Sequence, residues 1–170
     1  MSQPPAWPDP AQVSAEEMID HLGLEPLPEE GGWFRRTVTG PFIDGRAKAS
    51  AYAAIDALFT PAGFSALHRL EMDEVWMFRA GDALQLWQLN ESGDANGTTL
   101  GWTAPRSERE VRVPARTWQG ARLVEGGRWA WVSCITIPAF TWEGFQLASR
   151  GGLTSRFPRW WKEIAALTRA

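Results

Sequence analysis

The chain has 170 residues, a net charge of -3, and basic side chains that are nearly all arginine and scattered along its length. That length suits one domain with a self-sufficient apolar core, and the charge offers no concentrated positive face for nucleic acid. The lone Cys134 cannot form an intrachain disulfide, and no apolar run reaches membrane-spanning length.

The N-terminus lacks the basic segment and apolar core of a signal peptide, so the expected location is the cytoplasm, with Cys134 reduced and buried. Eleven tryptophans are the unusual feature of the composition. Indoles cover large areas in cores, pockets and interfaces, so the surplus points to a cavity wall or dimer surface, or else to core filling.

Residues 1–13 are proline-rich and aperiodic and read as a disordered or draped arm ahead of a single domain over 14–170. Ser14-Ala-Glu-Glu17 is a capping box, and Met18, Ile19, Leu22 and Gly23 complete one short helix. His21 falls in its last turn, where the helix dipole favours a cation. A loop through Pro28-Glu-Glu-Gly-Gly32 then leads to a strand carrying Arg35 and Arg36, and after a hydrophilic segment around Asp44 to Lys48, Ser50 to Thr60 reads as a second strand.

Beyond Pro61-Ala-Gly63, short apolar runs recur about every ten residues. They are Phe64 to Leu70, Glu74 to Phe78, Ala83 to Leu89, Gly101 to Thr103, Glu110 to Val113, Trp118 to Val124, Trp129 to Ile137 and Thr141 to Ala148. Turn residues separate them, including Asn90 to Gly97, and such spacing predicts an antiparallel sandwich or barrel. A helix is expected only at the end, with Pro158 at its first position.

Gly63 to Gly81 holds His68, Leu70, Glu74 and Gly81, with three residues between Leu70 and Glu74 and six between Glu74 and Gly81. This resembles the first cupin motif, in which His-x-His, Glu and Gly line one side of a double-stranded β-helical jelly roll. The departures are that Gly63 lies one residue too close to His68 and that the second histidine is Leu70. Pro114-Ala-Arg116-Thr-Trp-Gln119 has the spacing of the second cupin motif, with Arg116 for the glycine and Gln119 for the histidine. Only His68 and Glu74 remain of the usual metal ligands, so no metal or other cofactor is expected.

Longer phrases carry a closer resemblance: Leu22-Gly-Leu24, Pro28-Glu-Glu-Gly-Gly-Trp-Phe-Arg35, Phe64-Ser-Ala-Leu-His-Arg69, Asp73-Glu-Val-Trp76, Val113-Pro-Ala-Arg-Thr-Trp-Gln119 and Pro138 to Ala148. Over about Ile19 to Leu167 the chain resembles a small family of largely uncharacterised cupins that are similar to deoxysugar-nucleotide epimerases. Its members usually carry an acidic residue at position 36 and a histidine at position 77, where this chain has Arg36 and Met77. The resemblance implies an all-β jelly roll with short helices at both ends and a homodimer.

In such a barrel, strand alternation turns His68, Leu70, Glu74, Trp76 and Phe78 inward, and Gln119, Ala121 and Leu123 face them from the opposite wall. Arg69 then points outward. The result is an aromatic pocket holding an imidazole, a carboxylate and an amide, suited to a small ligand of mixed polarity, sugar-like or nucleotide-sugar-like. His68 and Glu74 are the candidate catalytic pair, the carboxylate holding the imidazole tautomer and raising its pKa. As ligand contacts the sequence offers Trp76, Trp118 and Gln119, with Arg35 or Arg116 for an anionic group.

The resembling epimerases pair a histidine base with a tyrosine acid. Tyr52, the only tyrosine, falls on a different strand from that acid and is retained as a ligand contact. Beside a histidine held by Glu74 for structure alone, three readings stand: a binding module, a metal-independent epimerase or isomerase with His68 as base, and a degenerate metallo-enzyme for which the sequence shows no additional ligand.

Overall fold

A computed structural model describes residues 8–43, 50–102 and 106–169. The segment Asp44 to Lys48, Thr103 and the first seven residues of the arm lie outside them. Helix α1 (Ala15–Leu22) begins at the expected capping box, with Ser14 and Glu17 exchanging hydrogen bonds, and ends at Gly23 with φ 61°. Ahead of it, Val13 and Pro10 lend their carbonyls to Trp129 Nε1 and the Arg128 guanidinium.

Among the described residues eleven strands follow: β1 (Glu25–Pro26), β2 (Trp33–Thr39), β3 (Ala53–Phe59), β4 (Ser65–Leu70), β5 (Asp73–Gly81), β6 (Leu84–Leu89), β7 (Ala95–Leu100), β8 (Glu110–Val113), β9 (Trp118–Leu123), β10 (Ala130–Ile137) and β11 (Phe145–Leu147). They form two antiparallel sheets in the orders β1-β2-β3-β10-β5-β8 and β11-β4-β9-β6-β7. The chain is thus the all-β jelly roll that the motif spacing implied.

Several stretches differ from the reading of the sequence: Gly101 and Trp102 belong to no strand, and Trp142–Gly144 is a 3-10 turn ahead of β11. Ala95–Leu100 is a strand, although Asn90 to Gly97 reads as turn residues, because the polar Asn96, Thr98 and Thr99 pair along the edge of β6. Arg150–Arg156 forms an unexpected helix, α2, which Ser149 caps despite two glycines inside it. A 3-10 turn at Pro158–Trp160 then leads into α3 (Trp161–Ala166).

Three apolar layers hold the fold. Between the sheets lie Phe59, Trp76, Phe78, Leu84, Leu86 and Val132. Outside the smaller sheet, α2 and α3 press Leu153, Phe157 and Ile164 against Leu67, Trp87 and Trp118. Outside the larger sheet, α1 lays Met18 and Leu22 on Leu58, Ala80 and Trp129. Each fully buried large side chain contributes roughly 1.5–3 kcal/mol.

The tryptophans therefore serve mainly the two outer layers. Of those described, only Trp76 and Trp142 line the barrel cavity. Gly81 is the one place where the motif glycine is demanded by conformation: its φ is 105°, and a side chain there would run into the Trp129 carbonyl.

Candidate functional site

Strand alternation builds the site. On β5 the inward positions are Glu74, Trp76 and Phe78, all buried, while Val75 and Met77 between them are partly exposed; an irregularity opposite Trp131 and Val132 then turns Ala80 to the outer layer under α1. On β4 and β9, His68 lies opposite Gln119. Strands β4 and β5, with β1, β2, β3 and β10, line a cavity of about 270 Å³.

At its inner end Glu74, Trp76 and Gln119 form a closed triangle. Gln119 Nε2 donates to Glu74 Oε2 at 2.7 Å, and Trp76 Nε1 donates to Gln119 Oε1 at 2.8 Å and to Glu74 Oε2 at 3.2 Å. All three are neutral or carboxylate partners, so burial dominates and pushes the Glu74 carboxyl up to about 7.

His68 is 1% exposed, and its Nδ1 lies 2.8 Å from the Ala66 carbonyl. A carbonyl only accepts, so Nδ1 carries the hydrogen and Nε2 keeps its lone pair. Phe145 of β11 stacks on the ring, 5.5 Å between centroids. Burial lowers the His68 pKa, and nearby Glu74 and the Ala66 bond oppose this only in part. The expected division of labour is thereby corrected: Ala66 rather than Glu74 fixes the tautomer, and the imidazole is shifted toward the neutral form because desolvation outweighs the carboxylate.

Beside the Ala66 carbonyl, Nδ1 meets a side chain that the motifs did not single out. Glu30 Oε2 lies 3.5 Å from it and accepts from Ser65 Oγ at 3.3 Å. Burial pushes the Glu30 carboxyl up to about 7, against the pull of Ser65 and Arg169. Its loop turns inward through Glu29 at φ 63° and Gly31 at φ 100°. The Glu30 carbonyl accepts from Ala66 N–H at 2.9 Å and from Arg169 Nη2 at 2.8 Å, and Arg169 Nη1 reaches the Glu29 carbonyl. The available signal was Glu-Glu-Gly-Gly itself, a carboxylate beside residues free to take positive φ.

Four residues offered as ligand contacts lie elsewhere. Trp118 alternates away from Gln119 into the layer under α2 and α3, with Arg69 over its ring. Arg35 sits opposite Asp56 on the outer face, 3.7 Å from its carboxylate, whereas Arg36 lines the cavity. Arg116 is exposed and paired with Glu91 and Glu71, and Tyr52 is 40% exposed beside Gly40. Met77 also alternates outward, beside Arg79 and Trp102, so its identity has no bearing on the interior.

This chain matches over residues 16–148 the family described as Cupin superfamily (DUF985). It belongs to that family. Solved structures similar to this DUF985 protein include protein SO0799 from Shewanella oneidensis, 26% identical with a TM-score of 0.86, covering 92% of this chain and 98% of that one. A hypothetical protein from Leishmania major is 27% identical with a TM-score of 0.85, covering 93% and 100%. A dTDP sugar isomerase from Desulfovibrio desulfuricans, 20% identical with a TM-score of 0.51, covers 74% and 80% and shares the fold. None of the curated proteins matches.

The donor set of this cupin does not fit the metal that the superfamily motif implies. Leu70 offers no ligand, and both ends of the Gln119 amide are engaged by Glu74 and Trp76. Among the described residues no three His, Cys, Asp or Glu side chains group closely enough to hold an ion. Cys134 lines the cavity as a buried thiol whose pKa burial raises well above its ordinary value.

Proposed function

We propose that this DUF985 protein binds a small, polar, sugar-like metabolite in its barrel cavity. The observation that carries this is the combination, at one end of an aromatic-walled cavity, of the Glu74–Gln119–Trp76 triangle with the imidazole of His68. Apolar walls with a few converging polar groups are what small-molecule sites require. The cavity lies just below the usual range of about 300–1,000 Å³, so a monosaccharide-sized group enters and a nucleotide would stay outside. Native mass spectrometry of freshly purified protein, followed by calorimetry with the compound released, tests this. A retained small molecule that His68→Ala or Glu74→Gln no longer holds is expected, and an identical affinity in both variants overturns the assignment.

A second reading adds chemistry to the same site. His68 Nε2 has its lone pair available, so it can remove a proton beside a ligand carbonyl, and a protonated Glu30 or Glu74 can return one to the enolate. Tyr52 plays no part, being outside the cavity. If His68 is such a base, His68→Ala abolishes isomer interconversion while affinity stays within a few-fold.

The same proposal includes a cytoplasmic homodimer. Support comes from the buried free thiol of Cys134 and from the sheet edge at β2, beyond its short pairing with β1, where Val38 is 47% exposed and the neighbouring Phe42 is 74% exposed. Light scattering at micromolar concentration should give a dimer mass that Val38→Lys/Phe42→Glu halves. A monomeric mass for the unmodified protein overturns it.

A further inference from the structure

The charges around the cavity are unbalanced. Glu25 of β1, Glu30 of the following loop and Glu74 of β5 line it, against one cation, Arg36, on the exposed part of β2. The other polar lining groups, His68 of β4 and Cys134 and Thr136 of β10, bring no full positive charge at neutral pH. Arg169 lies behind Glu30 and binds main-chain carbonyls. Among the described residues no lysine or arginine forms an ion pair with Glu30 or Glu74.

Two further features point the same way. His68 is almost completely buried, yet its Nε2 has no hydrogen-bond partner among the described residues while the ring lines the cavity, so the deepest imidazole presents an acceptor. The walls are the rings of Phe34, Phe59, Trp76, Phe140 and Trp142, with Phe59 and Trp76 stacked 6.0 Å apart. Aromatic faces carry negative quadrupole potential and attract cations. Carboxylates and a lone-pair nitrogen offer acceptors, and an ammonium group supplies three donors and no acceptor. A phosphate or carboxylate in the same place would face two carboxylates in a low dielectric.

We propose that the ligand carries an ammonium group, held between Glu30 and Glu74 and against the aromatic wall, so that the preferred compounds are amino sugars or other small amines rather than anions. This rests on the binding reading above and narrows it. A cation there favours the ionised carboxyls, so binding releases protons and weakens as pH falls below neutrality.

The test is calorimetry and thermal shift at pH 7 with matched triplets of cavity-sized compounds: glucosamine, glucose and glucose 6-phosphate, and a wider set of primary amines with their N-acetyl and carboxylate counterparts. At least one amine should bind ten-fold or more tightly than its neutral partner, with proton release seen as a buffer-dependent heat. Binding should weaken at least ten-fold in both Glu74→Gln and Glu30→Gln, whose folding is checked by circular dichroism. Tightest binding by an anion, or neutral partners within three-fold of the amines, overturns the ammonium assignment and leaves the binding site standing. Failure of all three classes, with nothing co-purifying, overturns both.

Discussion

Gln119 on β9 and Glu74 on β5 meet across the barrel at 2.7 Å, joining the two sheets at the point where their inward faces come together. Gln119 stands where the second cupin motif has a histidine, and its amide donates to the carboxylate that the first motif supplies. Gln119→Leu should therefore lose about 1–3 kcal/mol, the cost of leaving the buried Glu74 and the Trp76 indole without their partner. Urea denaturation at pH 7 measures it. A loss below about 0.5 kcal/mol would mean that the triangle contributes nothing net.

Glu30 and Glu74 both have carboxyl groups raised to about 7. A raised carboxyl stabilises the fold below its unfolded pKa and loses that contribution as pH rises toward 7. His68 is lowered, so it acts oppositely, its contribution growing up to its unfolded pKa near 6.5. Between about pH 6.5 and 8 the carboxyls act alone and stability should fall. Relative to the unmodified protein, Glu74→Gln should gain roughly 2–3 kcal/mol between pH 5 and pH 8, read from paired denaturation curves. A pH-independent difference would contradict the raised carboxyl.

His68 and His21 are the only histidines, so His21→Asn leaves one imidazole in the spectrum. Nitrogen-15 NMR should show the hydrogen on Nδ1 and a ring that is mainly neutral at pH 6.5, where a free imidazole is half protonated. A hydrogen on Nε2, or protonation at or above pH 6.5, would disagree with the Ala66 bond and the buried position.

Arg169 ties the end of the chain to the loop bearing Glu30. Arg169→Ala should raise amide exchange in the Glu30–Ala66 contact by about ten-fold, equivalent to about 1.4 kcal/mol of local opening, and leave β6 and β9 unchanged. Equal exchange in both regions would mean that the clasp is incidental.

Much of the frame was legible in the sequence because local rules produce it. The Ser14–Glu17 capping box, the Gly23 stop, the inward alternation of Glu74, Trp76 and Phe78 and the Gly81 turn each follow from neighbours within a few residues. The two cupin motifs, compared with the spacing of Leu70 and Gln119, also announced a barrel whose metal ligands are incomplete. Alternation alone sends Trp118 outward once Gln119 points in.

Tertiary structure decided what long-range approach controls. Glu30 reaches His68 from 38 positions earlier only because Gly31 and Arg169 turn its loop inward, and no local pattern records that meeting. The choice of Arg36 over Arg35 for the cavity depends on the register of β2 against β3, interrupted by an irregularity between Arg36 and Val38. The ionisation of His68, Glu30 and Glu74 was likewise hidden, since it is set by desolvation, a property of everything packed around a group rather than of its sequence neighbours.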